Sequence, residues 1–226
     1  MTRAFEAVSL DVGGVLVVPD HGALAAALHR LEVPFDRARF GPGHYLAMAA
    51  VDAAASAPED FTDYLDGFLA AVSVPTADRA RAHDALAELL STPVWCQPVP
   101  GARSGLAALA AAGVRLAVTS NSDGTIEDHL RRHEWVQLGD GPGVRVEAIT
   151  DSGALGVGKP DPAMYEATLV GLGVPAERVL HVGDSVAYDV DGAAACGLQA
   201  VHMDPFGICG STDHAHVREL GDLLRL

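Results

Sequence analysis

The feature that most constrains the fold of this chain is a repeated alternation. Short Val-rich runs, "FEAVSL", "VRLAVTS", "VRVEAIT", "RVLHVGD" and "LQAVHM", are separated by Ala- and Leu-rich stretches, "GARSGLAALAAAG", "DGTIEDHLRRH", "DPAMYEATLVGLG" and "VAYDVDGAAACG". Near-continuous apolar runs of that length suit strands buried on both faces. The intervening stretches have helical spacing and mostly end at glycine, which adopts the left-handed conformation that closes a helix. The pattern predicts an α/β fold with a doubly wound, Rossmann-like parallel sheet. A chain of 226 residues with 49% hydrophobic side chains has enough apolar material to bury such a core.

One long gap interrupts the alternation. From about Asp20 to Pro98 there is no strand run, and "HGALAAALHRL", "HYLAMAAVDAAA", "PEDFTDYLDGFLAAV" and "TADRARAHDALAELL" all read as helices. The expected organisation is a Rossmann-like core of residues 1–18 and 98–226 with a helical domain, 19–97, inserted after the first strand. Pro93, Pro98 and Pro100 punctuate the return.

Charge and cysteine usage exclude several function classes. A net charge of -15, from 15 basic and 30 acidic residues, repels nucleic acid and anionic lipid surfaces, so neither is expected as a partner. The N-terminal "MTRAFEAVSLD" lacks a long apolar core and every hydrophobic run is broken well short of a membrane span, which predicts a cytoplasmic protein. Cys96, Cys196 and Cys209 form no CxxC pair, so reduced, mostly buried thiols are expected in place of disulfides or a zinc cluster.

In an open α/β sheet the ligand lies beyond the C-terminal ends of the strands, so the residues there bear most on function. Asp11 ends the first run, Ser120 and Asn121 the second; Lys159 lies in a later loop, and Asp184 and Asp189 follow "HVG". Three carboxylates converging in one crevice repel one another unless a cation sits among them. A hard divalent ion such as Mg²⁺, which takes a few oxygen ligands and shares substrate phosphate, answers that need. Any one strand-end aspartate is also explained as a helix N-cap, but the set together is not. Lys159 is the only lysine against fourteen arginines. A compact ammonium in an arginine-rich chain suggests a position that a planar guanidinium does not fit.

These residues resemble the haloacid dehalogenase superfamily of hydrolases with a helical cap: Asp11 in "SLDVGG", Ser120 in "VTSNS", Lys159 in "GKPDP", and Asp184 and Asp189 in "GDSVAYD". The resemblance implies that Asp11 is the nucleophile, that Ser120 and Lys159 are catalytic, and that Gly13 and Asn121 contact substrate. It further implies Mg²⁺ held by Asp11, the carbonyl of Gly13 and Asp184, with Asp189 behind, and a small phosphorylated metabolite as substrate. The sequence departs from the family's phosphatases at Gly13, where they usually carry a second aspartate as general acid and base. Three readings follow: a phosphatase that takes its proton elsewhere, with Asp20, His21 and His44 as candidates; a weakly catalytic phosphometabolite-binding or interaction protein; or a metal-free dehalogenase, which the intact acid pair disfavours. His129 and His133 in "HLRRH" have the spacing of a metal pair, but flanking arginines indicate a solvated face. His214 and His216 in "DHAH" read as polar surface.

Overall fold

A computed structural model describes residues 4–54 and 61–226. The chain opens with strand β1 (Ala7–Leu10) and β2 (Val17–Pro19), then helices α1 (His21–Arg30), α2 (Phe40–Ala54), α3 (Thr62–Ala71) and α4 (Thr76–Leu90). The segment expected as a helix from Pro58 begins, up to Asp60, outside the described residues, as does Ala55 at the end of the helix before it. After the helices come β3 (Trp95–Pro98), α5 (Ala102–Ala111), β4 (Arg115–Ser120), α6 (Ile126–Arg132), β5 (Val136–Leu138), β6 (Val144–Val146) and β7 (Ala148–Asp151). The remainder is α7 (Ser152–Leu155), α8 (Pro162–Leu172), β8 (Val179–Gly183), a π-helical turn over Val186–Asp191, α9 (Gly192–Ala195), β9 (Gln199–Met203) and β10 (Ala215–Val217).

Six parallel strands form the central sheet in the order β10-β9-β8-β1-β4-β7. The chain winds from β1 outward through β4 to β7, then crosses back to β8 and winds the other way. The order therefore reverses at β1, and the crevice opens there, beyond the ends of β1, β4 and β8. All four residues of β1 are buried, as a strand flanked on both edges and covered on both faces must be. Local signals fix the helix ends. Asp20 caps α1 by accepting from the Ala23 N–H at 2.6 Å, and α8 has Asp161 as N-cap, Pro162 in its first turn and Gly173 at φ +58° as C-cap.

The helices α1–α4 enclose their own apolar cluster, with Leu24, Leu28, Phe40, Leu65, Phe68 and Leu86 fully or nearly buried. They join the core through an antiparallel ribbon of β2 and β3, in which Val17 opposes Pro98 and Val18 opposes Gln97. This ribbon corrects the expectation of a strand-free stretch up to Pro98. Prolines at its ends disguise it, yet a two-stranded ribbon tolerates them because few ladder N–H groups are needed there. Two further differences lie in the core. The run "VRVEAIT" is two strands: β6 pairs with β5 outside the main sheet and β7 lies at its edge. The final strand, β10, has the alternating "AHV" pattern of an edge and too few apolar residues to stand out. Among the described residues no helix is long and apolar enough to cross a membrane.

Candidate active site

The crevice at the β1 switch point gathers most of the predicted residues. Asp11 follows β1 and is nearly buried, and Lys159 places its Nζ 3.0 Å from Asp11 Oδ1 and 2.5 Å from Asp189 Oδ1. One ligand oxygen from each of Asp11, Asp184 and Asp189 lies within 4.8 Å of the others. Ser120 ends β4 and is buried beside them in the sheet order. Two glycines allow this crowding. A Cβ on Gly14, whose φ is +64°, would fall 2.0 Å from Asp184 Oδ2, and one on Gly183 would meet Asp189 Cγ at 2.0 Å.

Electrostatics within the cluster are uneven. Burial, with Asp189 and Asp184 nearby, raises the Asp11 pKa from 3.8 to about 7 despite the attraction of Lys159. Burial disfavours the Lys159 ammonium, yet Asp11 and Asp189 outweigh it and hold its pKa above the usual range. Asp189 is likewise desolvated but is held well below the usual carboxylate range by Lys159 and His181. The compensating charge thus goes mainly to Asp189, and Asp11 bears the unrelieved repulsion. A cation beside Asp11 and Asp184 would remove it, and the donor set is all oxygen, which suits a hard divalent ion.

Both oxygens of Asp189 are engaged within the protein. Oδ1 meets Lys159 and accepts from His181 Nε2 at 3.0 Å, and Oδ2 accepts from the Ser185 N–H at 3.1 Å. His181 is fully buried, and burial lowers its pKa, so the ring is neutral and its Nδ1 accepts from Ser9 Oγ at 2.9 Å. Ser9 continues through Thr119 to Thr168, which also meets Thr150, each hydroxyl 2.7 or 2.8 Å from the next. This buried polar chain under the sheet orients Asp189 and, through it, Lys159. No pattern in "LHVGD" singled out His181; its signal was a histidine in an otherwise apolar central strand.

Asn121, expected to contact substrate, spends both amide atoms on the lysine loop. Its Oδ1 accepts from the Lys159 N–H at 2.6 Å and its Nδ2 donates to the Lys159 carbonyl at 3.1 Å. Gly13 has no left-handed φ, and a Cβ there would make an ordinary 3.5 Å contact with Trp95 Cζ3.

The cap contributes through α2. His44 is buried and places Nε2 2.8 Å from Asp184 Oδ2, while its Nδ1 lies 2.9 Å from the Tyr64 hydroxyl. Tyr45 donates to the Gly14 carbonyl at 2.8 Å. Asp52, which the sequence hid within the apolar-looking "LAMAAVDAAA", accepts from Ser185 Oγ and from the N–H groups of Val186 and Ala187 at 2.6, 2.8 and 3.1 Å. Of the three alternative proton donors, only His44 reaches the acids in this structure. Asp20 is engaged as the α1 cap, and His21 lies edge-on to Phe40. His129 Nε2 donates to the Trp95 backbone oxygen at 2.8 Å, and among the described residues no third ligand joins it and His133.

Residues 5–197 match the haloacid dehalogenase-like hydrolase family. The chain belongs to that family. Phosphoserine phosphatase of Thermus thermophilus is 35% identical to this hydrolase over 105 residues, 46% of this chain and 40% of its own length. Phosphoglycolate phosphatase of Rhodospirillum rubrum is 38% identical over 130 residues, 57% of this chain and 51% of its own. The hydrolase thus spans about half the length of the curated relatives it matches. Among solved structures, a HAD phosphatase from Thermococcus onnurineus shares the fold with a TM-score of 0.58 at 17% identity, covering 98% of this chain and 97% of that one.

Proposed function

We propose that this hydrolase is a Mg²⁺-dependent phosphatase of small phosphorylated metabolites, acting through a phosphoryl group carried on Asp11. The observation that carries the reading is the Asp11 carboxylate set 3.0 Å from Lys159 within one acid cluster that includes Asp184. The phosphatase names of the two curated relatives support the substrate class.

Asp11 would attack phosphorus in line, forming an Oδ–P bond as the ester P–O bond breaks and the leaving oxygen takes a proton. Water then attacks phosphorus and breaks the Oδ–P bond, its proton returning to the group that protonated the leaving oxygen, which releases inorganic phosphate and restores the carboxylate. The Lys159 ammonium and the Ser120 hydroxyl face the charge that develops on the transferring oxygens. Asp11, the Gly13 carbonyl and Asp184 would hold Mg²⁺, which supplies further charge neutralisation when bound. Asp189 is better suited to fixing Lys159 than to holding an ion, since its oxygens are already paired, and Asn121 fixes the same lysine through its backbone. With no carboxyl at Gly13, His44 is the side chain we assign to the leaving-group proton. Asp184, a second acid beside the nucleophile with no part in fixing Lys159, has no evident use in metal-free attack on carbon, which weighs against dehalogenation.

The test is hydrolysis of an aryl phosphate during Mg²⁺ titration. Activity should need the ion, and Asp184→Asn should shift the Mg²⁺ requirement upward, whereas Asp189→Asn should lower turnover with less change in that requirement. Full activity in a chelator would refute the reading.

A further inference from the structure

A second group of ligating side chains lies at the opposite edge of the sheet, away from Lys159. His202 on β9, Cys209 in the following loop, His214 before β10 and His216 on β10 each offer one ligand atom, and these four atoms lie within 4.8 Å of one another. Sequence spacing concealed them. Parallel pairing of β9 and β10 sets His216 directly opposite His202, and the connecting loop folds back because the Asp204 carboxylate accepts from the N–H groups of Ile208 and Cys209 at 2.8 and 3.0 Å. In sequence His214 and His216 read as polar surface and no zinc cluster is expected; the strand pairing brings both histidines beside His202 and Cys209. The cysteines are free and half-buried, Cys209 among them.

Hydrogen bonding alone leaves this group incompletely satisfied. His202 Nε2 lies 3.1 Å from the Asp184 backbone oxygen, which only accepts, so Nε2 carries the proton and Nδ1 presents a lone pair. His214 Nε2 lies 3.3 Å from that lone pair and 3.6 Å from Cys209 Sγ. A single N–H there serves His202 and leaves the thiol hydrogen with no acceptor on that nitrogen. His216 Nε2 is buried and has no hydrogen-bond partner. An unpaired buried imidazole nitrogen is a cost that a native site ordinarily removes.

A cation removes it. Bond lengths of about 2.0–2.1 Å to nitrogen and about 2.3 Å to sulfur, at tetrahedral angles, put ligand atoms about 3.3–3.4 Å apart for an N–N edge and about 3.6 Å for an N–S edge. The two separations, 3.3 Å for His214–His202 and 3.6 Å for His214–Cys209, match those edge lengths. Three nitrogens and a sulfur suit a borderline-soft ion and reject Mg²⁺ and Ca²⁺, which take oxygen. The Nε2–H bond to a backbone carbonyl is the outer contact that ligating histidines usually make, and it fixes the tautomer that leaves Nδ1 free.

We propose that His202, Cys209, His214 and His216 form a tetrahedral Zn²⁺ site, distinct from the oxygen-lined Mg²⁺ position. The ion closes the 204–214 loop onto the sheet edge. Through the His202 hydrogen bond it also holds the Asp184 peptide, so the two positions share a wall. A cavity of about 160 Å³ lined by Tyr45, Asp52, Asp184, His202, Asp204 and Cys209 gives access between them.

The experiment strips the full chain of metal, restores excess Mg²⁺, and titrates Zn²⁺ and, separately, Co²⁺. One Zn²⁺ per chain should bind, and Co²⁺ should show the visible bands of a tetrahedral site together with a thiolate charge-transfer band. Cys209→Ser should abolish the charge-transfer band. His214→Ala and His216→Ala should weaken Zn²⁺ by more than about 100-fold, beyond the 10–100-fold of an outer-contact loss. Asp11→Asn should leave Zn²⁺ uptake unchanged, which separates this site from the acid cluster and its failure from that of the phosphatase reading. Far-UV circular dichroism of each zinc-free variant checks that it folds; Cys209→Ser, in a half-buried loop, is the variant least able to disturb the core. The proposal is overturned if the folded chain binds no Zn²⁺ beside Mg²⁺, or if uptake survives Cys209→Ser and His214→Ala but is lost in Asp11→Asn.

Discussion

The two walls of the crevice are built on different principles. The core wall sets Asp11, Lys159 and Asp189 on the ends of buried strands, backed by a hydroxyl chain that runs under the sheet to Thr150. Each charge has a fixed partner, and the partner has one of its own. The cap wall comes from one helix, α2, whose His44, Tyr45 and Asp52 reach across to groups belonging to the core: the Asp184 carboxylate, the Gly14 carbonyl and the turn that starts at Ser185. Its contacts are hydrogen bonds to loops, one each from His44 and Tyr45 and three at Asp52, and the helix carrying them is joined to the core by a narrow ribbon. The core wall thus fixes charge at the strand ends, and the cap wall meets it by hydrogen bonds from a separately packed set of helices.

That contrast is sharpest at Lys159. Lys159→Ala should cost about 10²–10³-fold in turnover, and Lys159→Arg nearly as much, since a planar guanidinium does not fit between two carboxylate oxygens 3.0 and 2.5 Å from one buried nitrogen. Steady-state kinetics on an aryl phosphate decides it; an arginine variant with near-normal turnover would reduce the role of Lys159 to charge alone. Gly13→Asp probes the seam between the walls. The position has an unstrained backbone and ordinary contact room against Trp95, so the variant should fold and raise turnover of alkyl phosphates by up to about 10²-fold, with a smaller gain for aryl phosphates whose leaving groups need less help. No gain on either substrate would mean that His44 already supplies the proton fully. On the cap side, Asp52→Ala removes three hydrogen bonds to the Ser185 turn and should raise KM about 10-fold with a smaller change in kcat. A kcat loss as large as that of Lys159→Ala would erase the distinction between the walls.

A different kind of effect is on folding. Asp11 has a folded pKa raised from 3.8 to about 7, so between those values the folded chain holds a proton that the unfolded chain has released. The Asp11 contribution to stability should therefore fall as pH rises from about 4 to about 7 in a chelator and level off above, opposing the rise contributed by histidines such as His181 whose burial lowers their pKa. Asp11→Asn should flatten that part of the profile, and added Mg²⁺ should stabilise wild type more at the upper end. Denaturant unfolding across the pH range measures both. Asp189, shifted the opposite way, acts only below its ordinary value and leaves this window untouched.

The core wall was legible in the sequence because its residues sit at strand ends, and strands announce themselves by apolar runs. Asp11, Ser120, Lys159, Asp184 and Asp189 all follow such runs or the loops between them. The cap wall was not. His44 and Asp52 are eight residues apart on one helix face, but which face turns to the core depends on how α2 packs, and alanine-rich spacing leaves that undecided. His181 was hidden for a related reason, since a lone histidine within a buried strand has no motif and gains meaning only from Ser9 and Asp189 beside it. The β2–β3 ribbon was masked by its prolines, and the His–Cys group by its dependence on strand register: His202 and His216 are neighbours only because β9 and β10 pair in parallel. Asp189 shows the converse. Its position was legible, but its partners were not: they tie to Lys159 and His181 a residue expected to stand behind the metal.

The central claim is that the core wall delivers Asp11 to phosphorus. Acid quenching of the enzyme during turnover of a radiolabelled phosphate ester, with Mg²⁺ present, tests it most directly. Wild type should retain acid-stable, base-labile label that maps to the peptide containing Asp11, and Asp11→Asn should retain none. Turnover without label on the wild-type chain, or equal labelling of Asp11→Asn, would contradict it.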